Sequence, residues 1–306
     1  MKRDFLTLSD LAPEEVAGLI RRALEMKSAP TQGPSDCPLI GKSIGLLFEK
    51  PSTRTRVSFE VAIYQLGGQT IFLSSKDVQL SRGETLHDTA RVLSRYLSAL
   101  VARTYSHNTI EVLASEADIP VINALTDRAH PCQILGDLLT VLEHRGSLEG
   151  ANISYFGDGN NVANSLIIGC GMLGLNLTLA CPEGYDPDKE FVDAGRKFSQ
   201  ESGGSIQIQR DPAAAAAGAQ FLYTDVWTSM GQEGESERRR TELSPYQINA
   251  SILNAAEPGA KLMHCLPANR GEEITEEMME HDQSIIIDQA ENRLHAQKAL
   301  LEWIVK

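Results

Sequence analysis

The sequence predicts an α/β protein of two domains. Stretches with helical periodicity alternate with short apolar runs from end to end. The segments richest in polar chemistry fall where an apolar run ends and a helical pattern begins. A length of 306 residues corresponds to about two domains of roughly 150 residues each.

In the first half, Ser9 reads as the N-cap of a helix over 11–26, with Pro13 and two glutamates in its first turn. Residues 29–38 carry three prolines and read as a loop. An apolar run at 43–48 predicts a buried strand, and Ser52 opens a helix that Gly67-Gly68 stops. Strands follow at 70–73, 100–102 and 120–124, with helices at 84–96 and 109–117 between them. A long helix over 134–144 ends near Arg145-Gly146, where the domain break is placed. The second half restarts with strands at 152–156 and 175–180 around a helix that runs to about residue 173. Asp211-Pro212 caps a helix built on 213–217. Strands are expected at 221–225, 261–265 and 284–288, and a closing helix at 290–304.

Composition narrows the function. Apolar residues make up 42% and charged residues 23%, the balance of a globular chain. The net charge of −13 argues against a general nucleic-acid or anionic-membrane binder but leaves room for a local basic pocket. No apolar run reaches the roughly 18 residues of a membrane span, and the charged start Met1-Lys2-Arg3 lacks the pattern of a signal peptide. Five widely spaced cysteines without a C-x-x-C pair point to a reducing cytoplasm.

Six segments carry candidate chemistry. Ser52-Thr53-Arg54-Thr55-Arg56 sits at a helix N-terminus, where free N–H groups, hydroxyls and guanidiniums suit a phosphate; an ordinary capped helix is the alternative. His130-Pro131-Cys132-Gln133 also joins a strand to a helix, and Arg103 ends a strand at the same sheet edge, so Arg54, Arg103 and His130 converge beyond the strand ends. Gly157-Asp158-Gly159-Asn160-Asn161-Val162 lacks the third glycine and the later acid of a dinucleotide fingerprint, which argues against NAD. Asp225-Val226-Trp227-Thr228-Ser229-Met230-Gly231 reads as a lid whose Asp225 suits a substrate ammonium, or as a surface loop with a half-buried tryptophan. The arginines 238–240 among glutamates read as a solvated helical face. His264-Cys265-Leu266-Pro267 ends a strand; a metal set from His130, Cys132, His264 and Cys265 has no finger-type spacing and is not expected. Glu291-Asn292-Arg293 lies in the closing helix.

Together, and in this order, these segments resemble the aspartate/ornithine carbamoyltransferase family over essentially the whole chain. Ser52–Thr55 is similar to the family's carbamoyl-phosphate motif and His130–Gln133 to its second motif. Ser229-Met230-Gly231 and His264-Cys265-Leu266-Pro267 match its ornithine branch. The resemblance implies two domains of similar size, each a central parallel sheet flanked by helices. Residues 1–145 would bind carbamoyl phosphate and 146–289 ornithine, with the helix 290–306 packing back on the first domain.

The resemblance further implies a homotrimer with shared active sites, in which Gln79 of one copy reaches the phosphate held by the next. The implied phosphate ligands are Ser52, Thr53, Arg54, Thr55 and Gln79. Arg103, His130, Pro131, Cys132, Gln133, Cys265, Leu266 and Arg293 complete the carbamoyl-phosphate set. Asn161, Asp225, Ser229 and Met230 would bind ornithine, and Arg54, Arg103, His130, Asp225, Cys265 and Arg293 would carry catalysis. The implied reaction carbamoylates the δ-amine of L-ornithine to L-citrulline, in arginine biosynthesis, with no cofactor or metal and no nucleic-acid or membrane partner.

Overall fold

The computed structural model describes residues 2–28, 37–74, 83–228 and 233–305. The chain divides into two units of near-equal size, one built from Met1–Leu139 with Asn292–Lys306 and the other from Thr140–Glu291.

The first unit opens with a 3-10 turn, Leu8–Asp10, and α1 (Pro13–Ser28). Ser9 lies inside that turn and does not cap the helix; Leu11 is extended and Pro13, pre-set in φ, starts α1. The order continues β1 (Ser43–Phe48), α2 (Thr53–Gln65), β2 (Gln69–Ser74), α3 (Leu86–Leu93), β3 (Ala99–Arg103), α4 (His107–Glu116), β4 (Val121–Leu125) and α5 (Pro131–Arg145). The sheet runs β2-β1-β3-β4, every pair parallel. β1, β3 and β4 are apolar nearly throughout because helices cover both faces of a parallel sheet, whereas the edge strand β2 is only half-buried. Leu47, Leu100 and Ala102 pack under Ala90 of α3 and Ile110 and Leu113 of α4.

The second unit contains β5 (Asn152–Phe156), α6 (Asn161–Met172), β6 (Asn176–Ala180), α7 (Lys189–Ser202), β7 (Ser205–Gln209), α8 (Pro212–Ala216), β8 (Phe221–Thr224), α9 (Ser236–Leu243), α10 (Ala250–Ala255), β9 (Lys261–His264) and α11 (Glu276–Met279). Its sheet, β7-β6-β5-β8-β9, is also wholly parallel. Phe156, Leu222 and Leu262 pack beneath Ala215, Ala216 and Ile252. As expected, Asp211 caps α8, accepting from the N–H groups of Ala213 and Ala214. The strand expected at 284–288 does not form: Ser284 makes a single bridge to Leu262, and Ile286 already begins α12 (Ile286–Ile304).

The end of α12 belongs to the first unit. Arg22 holds Glu302 at 2.8 Å, and the Arg3 guanidinium lies 4.1 Å from the Trp303 ring centroid. Both divisions between the units fall inside helices, α5 and α12.

In each sheet the chain leaves a central strand in two directions. The reversal lies between β1 and β3 in the first and between β5 and β8 in the second. Such a point leaves a crevice beyond the strands' carboxyl ends, where two connections part, and open α/β sheets bind ligands there. The candidate segments follow these strands.

Candidate active site

In the first unit, Phe48 and Arg103 are register partners at the ends of β1 and β3. Ser52 is the N-cap of α2, its hydroxyl accepting the Thr55 N–H at 3.3 Å. Thr53 is exposed and Arg54 half-buried in the first turn, so hydroxyl, guanidinium and backbone N–H groups share one helix end. Thr55 is buried, and its hydroxyl accepts from Arg293 of α12 at 2.9 Å. Arg293 reaches this place because α5 presents Gly136 to it. A Cβ at 136 would lie 3.1 Å from Arg293 Cγ and 3.2 Å from its backbone nitrogen.

These cations crowd each other. Burial, then Arg293 and Arg54, lower Arg103 to about 10. His130, buried at the start of α5, is held well below the ordinary imidazole range by burial and by Arg293 and Arg103, so its ring is neutral at physiological pH. Pro131 begins α5. The buried Cys132 thiol donates to the Asn123 carbonyl at 3.2 Å, and burial pushes it up to about 12, so it stays a thiol. The Gln133 amide donates to Asp137 at 2.8 Å.

The second unit places Asp225 just after β8. Its Oδ1 accepts from the Cys265 thiol at 2.8 Å and from the Val226 N–H at 2.8 Å. Its Oδ2 accepts from the Asn160 amide at 2.7 Å. Asn160 is also the N-cap of α6, its oxygen accepting the N–H groups of Val162 and Ala163. Asn161, expected to contribute to ornithine binding, is the first residue of that helix. Gly159 allows the turn to press on the chain opposite, since a Cβ there would meet the Pro187 nitrogen at 2.2 Å. Cys265 is buried and Leu266 half-buried beyond β9. Gln79, Ser229 and Met230 lie outside the described residues.

The arginines 238–240 do not form one solvated face. Arg238 and Arg240 are exposed, but the Arg239 side chain is only 6% accessible. Successive residues of a helix point about 100° apart, so the middle one turns inward. Arg239 pairs with Asp158 and donates to the Trp227 carbonyl at 2.6 Å. Burial raises the Asp158 carboxyl to about 6 against the opposing pull of Arg239. Trp227 is buried beside Tyr185 and Leu243 rather than lying half-buried on the surface.

Among the described residues, Asp225, His264 and Cys265 form one group of donors that lie within 4.8 Å of one another and could hold a metal ion. Each already serves a neighbour: the thiol faces Asp225, and both His264 nitrogens are engaged. Sequence reasoning missed Asn160, the Asp158–Arg239 pair and the partners of His264. An asparagine at the helix start in the turn after β5 was the available signal for the first; Asp158 and Arg239 lie 81 residues apart, and no local pattern couples His264 to Glu273.

Both halves of the chain match family models: residues 3–143 the carbamoyl-P binding domain, and residues 149–304 the Asp/Orn binding domain, of aspartate/ornithine carbamoyltransferase. The chain is 52% identical over 305 residues to an ornithine carbamoyltransferase of Syntrophus aciditrophicus, covering all of both proteins. It is 49% identical to one of Bacillus subtilis, covering 99% of this chain and 94% of that protein. The solved structure of the Pyrococcus furiosus ornithine carbamoyltransferase matches with a TM-score of 0.93 at 48% identity, covering 98% of this chain and 96% of that one. An anabolic ornithine carbamoyltransferase from Campylobacter jejuni matches with a TM-score of 0.93 at 39% identity, covering 99% of each chain. With the cation cluster on one sheet and the Asp225 network on the other, as two matched domains require, the chain belongs to the aspartate/ornithine carbamoyltransferase family.

Proposed function

We propose that the chain acts as an ornithine carbamoyltransferase, moving the carbamoyl group of carbamoyl phosphate to the δ-amine of L-ornithine and releasing L-citrulline and phosphate. The observation that carries the reading is the cluster of Arg54, Arg103 and Arg293, whose mutual repulsion helps bring Arg103 down to about 10. A multiply charged anion relieves that repulsion, and a phosphate does so with the geometry guanidiniums prefer.

The first unit holds carbamoyl phosphate. Ser52, Thr53, Arg54 and Thr55 take the phosphate at the N-terminus of α2. Pro131, Cys132 and Gln133 shape the floor from the first turn of α5. Arg103, Arg293 and the neutral His130 face the carbonyl oxygen, with His130 as a hydrogen-bond donor. The second unit holds ornithine. The Asp225 carboxylate, oriented by Asn160 and Cys265, pairs with the α-ammonium; Asn161, Ser229 and Met230 serve the rest of the amino acid, and Cys265 and Leu266 line the reacting end.

Only about 0.4% of a lysine-like amine is neutral at pH 8, so the site must favour the free amine. Asp225 and Cys265 form the acceptor side for its proton. Attack on the carbonyl carbon places negative charge on the oxygen, which Arg103, Arg293 and His130 stabilise at about 2.7–4 kcal/mol per well-placed donor. The tetrahedral species collapses by breaking the carbon–oxygen bond to phosphate.

The same reading makes the enzyme a cytoplasmic homotrimer that uses no cofactor or metal and serves arginine biosynthesis, with Gln79 of one copy completing the site of the next. Exposed apolar side chains on the first unit, among them Ile40, Val57, Tyr64 and Ile71, support a covered surface there. The deciding experiment offers carbamoyl phosphate with ornithine, N-acetylornithine, putrescine, lysine and aspartate and measures ureido product. Citrulline from ornithine alone is expected; product from another amine alone overturns the assignment of the second unit.

A further inference from the structure

The loop after β9 closes on a buried pair that no step above uses. His264 and Glu273 are both fully buried, with His264 Nε2 at 3.0 Å from Glu273 Oε1. The other ring nitrogen, Nδ1, lies 2.8 Å from the backbone nitrogen of Leu266, which can only donate. Nδ1 is therefore the bare nitrogen and Nε2 carries the proton, which it donates to Glu273. The same carboxylate oxygen accepts the Asn269 N–H at 2.6 Å, and the His264 N–H is held by Gln289 at 2.8 Å. One imidazole and one carboxylate thus tie the loop at residues 264, 266 and 269.

What this fixes is the Cys265–Leu266 peptide. Leu266 sits at φ +58°, a region that side-chain-bearing residues seldom adopt, so local preference does not choose this conformation. The peptide is planar; with its N–H turned to His264, its carbonyl faces the opposite way. The Cys265 side chain on the same short segment is thereby placed on Asp225. We infer that His264 and Glu273 are positioning residues that act on the reaction through Cys265 and Leu266, with Glu273 selecting the histidine tautomer that can accept the Leu266 N–H. This rests on the assignment of Cys265 and Leu266 to the reacting end.

Two substitutions separate the two ring nitrogens. His264→Asn keeps an oxygen near the Nδ1 position, whereas His264→Gln keeps a donor toward Glu273 and loses that acceptor. In His264→Gln, kcat with carbamoyl phosphate and ornithine should fall about 100-fold, the scale of a misplaced reacting group. The Leu266 amide should exchange with solvent faster by a similar factor. His264→Asn should recover at least about tenfold in both. Inorganic phosphate should bind all variants with affinity within about twofold of wild type, because its ligands lie in the first unit. Glu273→Gln, which keeps the volume but removes the charge, should release the tautomer, speeding Leu266 exchange and lowering kcat by about tenfold. Equal activity in the two His264 variants, or unchanged Leu266 exchange in His264→Gln and Glu273→Gln, overturns the inference. If wild type makes no citrulline, the functional assignment falls while Leu266 exchange still judges the pair.

Discussion

The two units arrange their candidate residues on opposite electrostatic plans. The first unit gathers Arg54, Arg103, Arg293 and His130 so closely that burial and like charge lower Arg103 and His130. The second surrounds Asp225 with three donors, from Asn160, Cys265 and Val226. A pocket for a dianion can be left in tension because its ligand supplies the missing charge. A pocket for an amino acid needs its acceptor aimed beforehand, so its hydrogen bonds are made before the ligand arrives. The contrast predicts that the first half fails by loss of charge and the second by loss of aim.

Arg54→Ala tests the charged half most severely. It removes a proposed phosphate ligand and part of the field, and kcat/KM should fall by about three to four orders of magnitude. Calorimetry should find phosphate binding much weakened; near-normal kinetics would remove Arg54 from the assignment. Asp225→Ala tests the other half. Ornithine kcat/KM should drop by roughly two to three orders of magnitude while phosphate affinity stays within about twofold. If both ligands are lost together, the division of labour between the units is wrong.

A smaller effect is expected where shape alone carries the charge. Gly136→Ala puts a methyl group against the backbone of Arg293, 3.2 Å from its nitrogen. Overpacking of this kind costs about 1–3 kcal/mol. Displacing Arg293 from Thr55 should also lower kcat by about tenfold. Full activity together with an unchanged melting temperature would mean that the contact yields freely.

The charged half was the more legible one in the sequence, for a physical reason. Strand ends and helix starts leave local signals, so Ser52–Thr55, Arg103 and His130 could be aligned at one sheet edge from periodicity. The aimed half depends on which of two neighbouring asparagines caps α6, and on a pairing between Asp158 and Arg239 that spans 81 residues. Periodicity says nothing about either. The isoleucine run at 284–288 fits strand and helix equally until its surroundings choose. The polar edge strand β7 and α7 before it, where no expectation was formed, lack an unbroken apolar run to announce them. The divisions inside α5 and α12 leave no mark, since a helix has no break to read where it passes from one unit to the other.

The activity profile against pH follows from the charged half. His130 titrates well below the usual imidazole range, so kcat/KM should show no break near pH 6.5 attributable to it. Rate should rise toward alkaline pH as the δ-amine loses its proton. It should then fall near pH 10, where Arg103 loses the proton with which it is proposed to stabilise the oxyanion. Arg103→Lys should move that falling limb; a limb unchanged in the variant would assign it to another group.

The smallest expected effect sharpens the aimed half through stability alone. Asp158 titrates near 6 in the folded protein, raised by burial, against an ordinary 3.8. Between about pH 4 and 6 the unfolded chain has already released this proton while the native state keeps it. A raised carboxylate favours the folded state fully only below its unfolded pKa, and that contribution is lost as pH rises through the folded value. The stability of wild type relative to Asp158→Asn, read from urea midpoints, should therefore decline across pH 4–6 and level off above. A difference that stays constant through this window would mean that Arg239 offsets the burial completely, and that the turn bearing Asn160 is anchored by a pair at ease rather than one under load.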